Sequence, residues 1–309
     1  MSYHIVTIDS PQCRLTCRNG QLVCDAMDNA PPRQLPLEDI GAIIITSFSA
    51  QIHSQLLLDA AKQGVALVLC EDFKPASLVL PANRSSDTLL TKAWQQVSKK
   101  VRDGLWRKTI DAKCSNQAFL AEWLAPNHYK LNDLQVASRR PHAHKESVCA
   151  RFYWQIYATT IPETTFSRDP ENDGTNALLN FGYAVLLSTV LQKLFAFGLD
   201  PTFGIGHAVR ERSTPLAYDL MEPFRPCVDL RVHQWLHGPG AGQGMAITRE
   251  FKRWVTGFVL ERVGTMGIEL DIRGVIEGTV RSFRKAILQQ RLGDYTPWIA
   301  ANTKWAGCL

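Results

Sequence analysis

The first 80 residues carry their apolar side chains in short runs broken by turn formers. Cys13-Arg14-Leu15-Thr16-Cys17 and Gln21-Leu22-Val23-Cys24 flank Asn19-Gly20. Both of those turn residues tolerate positive φ, so the pattern predicts a tight hairpin. Ile40 to Ile45 and Val65 to Leu69 are apolar runs of strand length. Between them, Ile52 to Lys62 places Leu56, Leu57 and Ala60 at helical spacing and stops near Gly64. Residues 1–80 are thus expected to form a compact, mostly β unit with one helix. Composition then shifts at Pro81-Ala82-Asn83-Arg84-Ser85-Ser86-Asp87, which reads as a linker over 81–87. Beyond it the period lengthens. Leu89 to Ile110, Asn116 to Leu124, Lys145 to Ala158, Gly174 to Phe197 and Gly278 to Arg291 all permit helices. Asp173 suits an N-cap and Gly198 a helix end. The expected class is α+β, with a β-rich domain over 1–80 and a larger helical domain over 88–309.

A chain of 309 residues, 45% hydrophobic and 20% charged, buries a sizeable core without disulfides. Met1 to Ser10 shows no signal-peptide pattern, and no run of eighteen uncharged apolar residues is present, so a soluble cytoplasmic protein is expected. The eight cysteines fit that compartment: Cys13, Cys17 and Cys24 make no Cys-x-x-Cys pair, and the others are scattered. The formal charge of +5 is uneven. Residues 1–91 hold 6 basic and 9 acidic side chains, 92–151 hold 12 and 5, and 152–309 hold 16 and 15. The basic middle is either a solvated helical face or a surface that tracks phosphates. Its candidates for the second role are Lys99, Lys100, Arg102, Arg107, Lys108, Arg139 and Arg140.

Candidate chemistry concentrates in one short stretch. Thr214 precedes Pro215, which suits the first position of a helix, and Leu216, Leu220 and Phe224 then share one face. Asp219 and Glu222, three apart, converge on a neighbouring face. Two carboxylates that close repel unless a cation or proton lies between them. They are either half a metal site or solvated acids beside Arg210, Arg212 and Arg225. Pro223 removes a helical hydrogen bond and ends or kinks the helix beside Glu222. His207 follows Gly204-Ile205-Gly206, a turn that brings backbone close to a neighbour; Glu146 opens the Lys145 to Ala158 helix. Each has a plain structural reading, a hydrogen-bonded histidine and an acid favoured by the helix dipole. Taken together, an imidazole and carboxylates suit a divalent cation. No phosphate-binding loop ending in Lys-Ser/Thr, no Gly-x-Ser-x-Gly and no His-Glu-x-x-His competes. Gly238 to Gly244 reads as a flexible loop.

Phe197-Gly198-Leu199-Asp200-Pro201, the Gly-x-x-His ending at His207, and Pro215-Leu216-Ala217-Tyr218-Asp219-Leu220-Met221-Glu222-Pro223-Phe224-Arg225-Pro226 resemble the CRISPR-associated spacer-acquisition integrase, the larger of the two adaptation proteins. Asp173 to Tyr183, Pro36 to Ile40 and Gly64 to Cys70 resemble the same family, most closely its type II version. The resemblance implies an N-terminal β-sandwich-like domain, a helical C-terminal domain, and a homodimer that joins the small companion adaptation protein in a heterohexamer. It implies Mg²⁺ or Mn²⁺ bound by Glu146, His207 and Glu222, with Asp219 assisting, and Tyr218 as packing or a phosphate contact. The implied reaction is attack of a DNA 3′-hydroxyl on a phosphodiester, inserting prespacer duplex DNA at a CRISPR repeat. Two rival readings are a metal-dependent repair nuclease of branched DNA and a DNA-binding scaffold with a degenerate site, the latter favoured by Pro223.

Overall fold

The computed structural model describes residues 4–300 and 303–305, except 9, 11, 28–29, 46, 48, 72–73, 80–87, 141–143, 208–213 and 266–267. The expected linker at 81–87 and the arginines Arg210 and Arg212 lie outside the described residues.

The N-terminal part consists of β1 (His4–Ile8), β2 (Cys13–Arg18), β3 (Gln21–Asp25), β4 (Arg33–Pro36), β5 (Ile40–Ile45), β6 (Ala50–Ile52), α1 (Ser54–Lys62), β7 (Ala66–Glu71) and β8 (Lys74–Val79). They build two four-stranded sheets, ordered β1-β5-β7-β8 and β4-β3-β2-β6. The hairpin at Asn19-Gly20 joins antiparallel β2 and β3, with φ of 51° and 72° at the two turn residues. The apolar strands β5 and β7 run parallel in the middle of their sheet, as continuous apolar runs favour when both faces are covered. Leu15 and Leu22 of one sheet, Ile43 and Leu67 of the other, and Leu56 and Ala60 of α1 share one core. This is the sandwich-like packing that the resemblance implies.

Helices follow: α2 (Thr88–Gln95), α3 (Lys99–Leu124), α4 (Leu131–Arg139), α5 (Lys145–Ala158), α6 (Thr175–Ala196), α7 (Pro215–Met221), α8 (Arg225–His237), α9 (Arg249–Thr256) and α10 (Ile272–Gln289). The helical part also carries a small three-stranded sheet of β9 (Arg262–Thr265), β10 (Ile268–Asp271) and β11 (Thr303–Trp305). α5 and α6 fall where the apolar period places them. Leu89 to Ile110 is not one helix, because Ser98 Oγ accepts the N–H of Val101 at 3.3 Å and starts α3 afresh. α3 then runs on through the gap between two expected segments. At the start of α6 the first intrahelical acceptor is Gly174 O, and the N–H of Thr175 is taken by Glu163 Oε2 at 2.8 Å rather than by Asp173. Gly198, at φ 69°, ends α6 as expected.

α6 organises the core. Its residues Thr175–Leu194 are long and apolar enough to cross a membrane, but 78% of that window is buried inside the protein. It packs against α7, α8 and α10, and reaches β5 and β8 of the sandwich. Cys13, Cys17, Cys24, Cys114, Cys149 and Cys227 form no disulfide.

Candidate metal centre

Four elements meet at the site: α3, the start of α5, the turn before α7, and the junction of α7 with α8. α3 is long enough to serve them all. Trp106 and Lys113, seven residues apart, lie on one face of it. Asn116, one turn further, is fully buried and fixes the junction. Its Nδ2 donates to Pro223 O at 2.7 Å and to Trp298 O at 3.1 Å, while its Oδ1 accepts the N–H of Ala300 at 2.7 Å. α7 ends at Met221, beside Pro223, as expected. Glu222–Phe224 tightens into a 3₁₀ turn between α7 and α8, and Glu222 keeps helical dihedrals of −53° and −43°. A 3₁₀ turn absorbs the missing N–H, and the Pro223 carbonyl is satisfied by Asn116.

His207 is held from behind. Asp219, fully buried on α7, accepts the backbone N–H of Ile205 at 2.6 Å, of Gly206 at 3.1 Å and of His207 at 2.9 Å. The same carboxylate lies 2.6 Å from His207 Nδ1. That bond raises the imidazole pKa, against an opposing effect of burial. With Nδ1–H donated to Asp219, Nε2 is the ring nitrogen left for a ligand, the arrangement that carboxylates impose on metal-binding histidines. The glycines allow the close wrap. A Cβ at Gly206 would overlap the indole of Trp106, and one at Gly204 would press on His207 O and Pro215 at 2.8 Å. Trp106 meets the His207 ring edge-on at 5.6 Å. Tyr218, partly exposed, has its ring 6.2 Å from that of His207. Thr214 stands at the N-cap of α7 without a side-chain bond to it.

Glu146 and Glu222 meet through a residue that sequence patterning does not single out. Lys113 Nζ lies 2.7 Å from Glu146 Oε1 and 2.7 Å from Glu222 Oε2. Arg225 Nε donates to the other Glu222 oxygen at 3.0 Å. Burial works against the Glu222 charge, but Arg225 and Lys113 outweigh it and hold the carboxyl down at about 2. Glu222 is 3% exposed and Glu146 40%, so the cluster opens to solvent on the Glu146 side. Beside it, Lys145 pairs with Asp111 and ties the start of α5 to α3.

Whether these residues suit a divalent cation can be tested on their donors. Among the described residues, no three His, Cys, Asp or Glu side chains stand poised as a ready cage. The reason is visible: an ammonium already sits between the two glutamates. Glu222 Oε2 is at ion-pair distance from Lys113 but has no hydrogen bond of good geometry, so a buried carboxylate oxygen retains an unmatched lone pair. Two carboxylates sharing one cationic point, an oxygen with spare capacity and a histidine oriented by a carboxylate fit a hard divalent ion. Asp219 is fully engaged with the turn and His207, and is placed as their orienter.

The basic candidates divide. Lys99, Lys100, Arg102 and Arg107 are exposed on α3, and Arg139 and Arg140 are exposed at the end of α4. Lys108 is different: its Nζ donates to Leu292 O at 3.0 Å and Tyr295 O at 2.6 Å, so it staples the C-terminal segment to α3. Its neighbours in sequence gave no hint of that.

The family model described as CRISPR associated protein Cas1 matches residues 6–238. The CRISPR-associated endonuclease Cas1 of Neisseria meningitidis serogroup C (strain 8013) is 31% identical over 230 residues, covering 71% of either chain. A casposase bound to its integration product shares the fold at a TM-score of 0.76 and 20% identity, covering 94% of this chain and 92% of that one. A chain of a Cas6-RT-Cas1–Cas2 complex does so at 0.74 and 15%, covering 96% of this chain and 36% of its own. With the family's motif segments assembled into one cluster and the match spanning most of its length, this chain belongs to the Cas1 family.

Proposed function

We propose that the chain is a metal-dependent DNA integrase and endonuclease that inserts short prespacer duplexes into a CRISPR array. The observation that carries this reading is the convergence of Glu146 and Glu222 on one cationic point beside a histidine oriented by Asp219. Glu146, His207 and Glu222 would hold Mg²⁺ or Mn²⁺, which when bound offsets charge on the oxygens of a phosphodiester under attack. Glu222 is ionised at any physiological pH, so it needs no deprotonation before binding a cation. Asp219 keeps the His207 tautomer fixed. The open Glu146 side is where a DNA strand approaches, and a 3′-hydroxyl or a water attacks in line, without a covalent protein intermediate. Tyr218 packs beside His207 and is given no nucleophilic role. Pro223, the feature that favoured a degenerate site, leaves Glu222 within the cluster.

The exposed cations of α3 and α4 would bind duplex phosphates. The reading includes a homodimer that joins the small companion adaptation protein in a heterohexamer, acting in the cytoplasm without membrane attachment; of these, the Cas1–Cas2 complex among the solved relatives supports the companion protein. The test is transfer of a labelled short duplex into a supercoiled plasmid bearing the cognate repeat, with and without the companion protein. Joining should require Mg²⁺ or Mn²⁺ and vanish in Glu146→Ala, His207→Ala and Glu222→Ala. Metal-dependent cutting with no joining in the presence of the companion would overturn integration in favour of a nuclease.

A further inference from the structure

A cavity of about 290 Å³ lies on the seam between the sandwich and α9, and shares no lining residue with the metal centre. Its apolar wall includes Val6, Ile8, Leu22 and Leu35 from strands β1, β3 and β4. Its other side is cationic. Arg249, Lys252, Arg253 and Thr256 of α9 follow each other at i, i+3, i+4 and i+7, one face of a helix, and Arg33 joins them from β4. α9 is held in place by its opposite face, where Phe251 and Val255 are fully buried in the helical core. No Asp or Glu is among the described residues that line the cavity.

Basic helix faces are usually solvated, and charge alone would say no more. Here the cations border a concave apolar wall, and the volume sits near the lower end of the range of about 300–1,000 Å³ for small-ligand sites. Three of the four cations are arginines, whose planar forks match phosphate oxygens in pairs. A ligand that satisfies both sides has a flat, weakly polar body and a multiply charged anionic end. We infer that this cavity binds a nucleotide, with its phosphate on Arg33, Arg249 and Arg253 and its base against Val6 and Leu35. The nucleotide is either free or the unpaired end of a DNA strand. Its choice over other phosphates rests on the nucleic-acid reading above.

The experiment measures binding of dAMP, dATP and a short end-labelled single strand to the full-length protein by calorimetry and anisotropy. Wild type is compared with Arg249→Gln/Arg253→Gln, with Leu35→Trp, which fills the cavity without changing charge, and with Glu222→Gln at the metal centre. Both cavity variants should weaken binding about tenfold or more, at an unchanged melting temperature, and Glu222→Gln should bind as wild type does. Saturable dAMP binding that competes with the strand identifies a free-nucleotide site; strand binding alone identifies a strand-end site. Failure of wild type to bind any of the three probes overturns the proposal. So does wild-type affinity in Leu35→Trp, because binding would then be surface charge only. Loss of joining in Glu222→Gln with cavity binding intact keeps the two sites' fates separate.

Discussion

Lys113 and a divalent cation compete for the same oxygens. A buried ammonium is costly to desolvate, and its two carboxylate partners must offset that cost. Burial alone would lower the Lys113 pKa, but Glu222 and Glu146 outweigh it and raise it, so the side chain stays charged. Lys113→Met should therefore lower the melting temperature of the metal-free protein, since Glu146 and Glu222 are left facing each other. It should also enlarge the rise in melting temperature that Mn²⁺ produces. A Mn²⁺ response no larger than that of wild type would show that Lys113 does not occupy the cation's place. Asp219→Asn tests the other half of the centre. The amide cannot orient the imidazole as the carboxylate does, so Mn²⁺ affinity should fall about 10- to 100-fold, measured by calorimetry on protein whose circular dichroism is unchanged. Residue type and spacing marked the acids and the histidine as candidates beside plain structural readings, and only the family resemblance assigned them as a ligand set. Lys113 was not marked, because a lysine among Lys108, Asp111 and Glu122 on a long helix reads as surface until the packing of α3 is known.

Pairing between elements explains both what the apolar periods revealed and what they hid. α5 and α6 were predictable because their apolar residues recur over many turns, whereas the Ser98 cap that divides α2 from α3 is one hydroxyl within a continuing pattern. The 3₁₀ turn at Glu222–Phe224 was hidden for another reason: its stability comes from Asn116, more than a hundred residues earlier. A second long-range device is Asp229 on α8. Tyr153 of α5 donates to its Oδ2 at 2.7 Å and Tyr183 of α6 to its Oδ1, so one carboxylate joins three helices. Burial dominates its titration and pushes it up to about 6, in spite of both hydroxyl donors. The folded state then holds a proton that the unfolded chain releases near pH 4, which makes this group's contribution fall as pH rises from about 4 to about 6. The cost above pH 6 is on the order of 3 kcal/mol. Asp229→Asn carries no such charge. The stability of wild type relative to Asp229→Asn, from urea unfolding, should rise as pH is lowered from 7 to 4. A difference independent of pH would mean that the carboxyl titrates as in the unfolded chain.

At the scale of the whole molecule the charge is segregated, and the structure determines which part of it can meet DNA. The sequence places 12 of the 34 Lys and Arg residues within 92–151, and their number alone suggested a phosphate-tracking surface. Folding removes some of them from that role: Lys113 faces the glutamates, Lys145 faces Asp111, and Lys108 holds the carbonyls of Leu292 and Tyr295. Lys99, Lys100, Arg102, Arg107, Arg139 and Arg140 remain exposed. Counterion release gives a quantitative way to separate the two sets, since each phosphate neutralised on duplex DNA contributes about 0.9 to the log–log dependence of affinity on salt. Arg139→Glu/Arg140→Glu should weaken binding to all duplexes alike and make the slope shallower by about 1.8, if each arginine meets one phosphate. Lys108→Met should do the reverse, leaving the slope as in wild type while lowering the melting temperature, because two part-buried carbonyls lose their donor. Measuring affinity at several salt concentrations for both variants checks the division directly. An unchanged slope in the double arginine variant would remove the end of α4 from the DNA surface. A shallower slope in Lys108→Met would mean that the lysine leaves its carbonyl partners to meet a phosphate when DNA is bound.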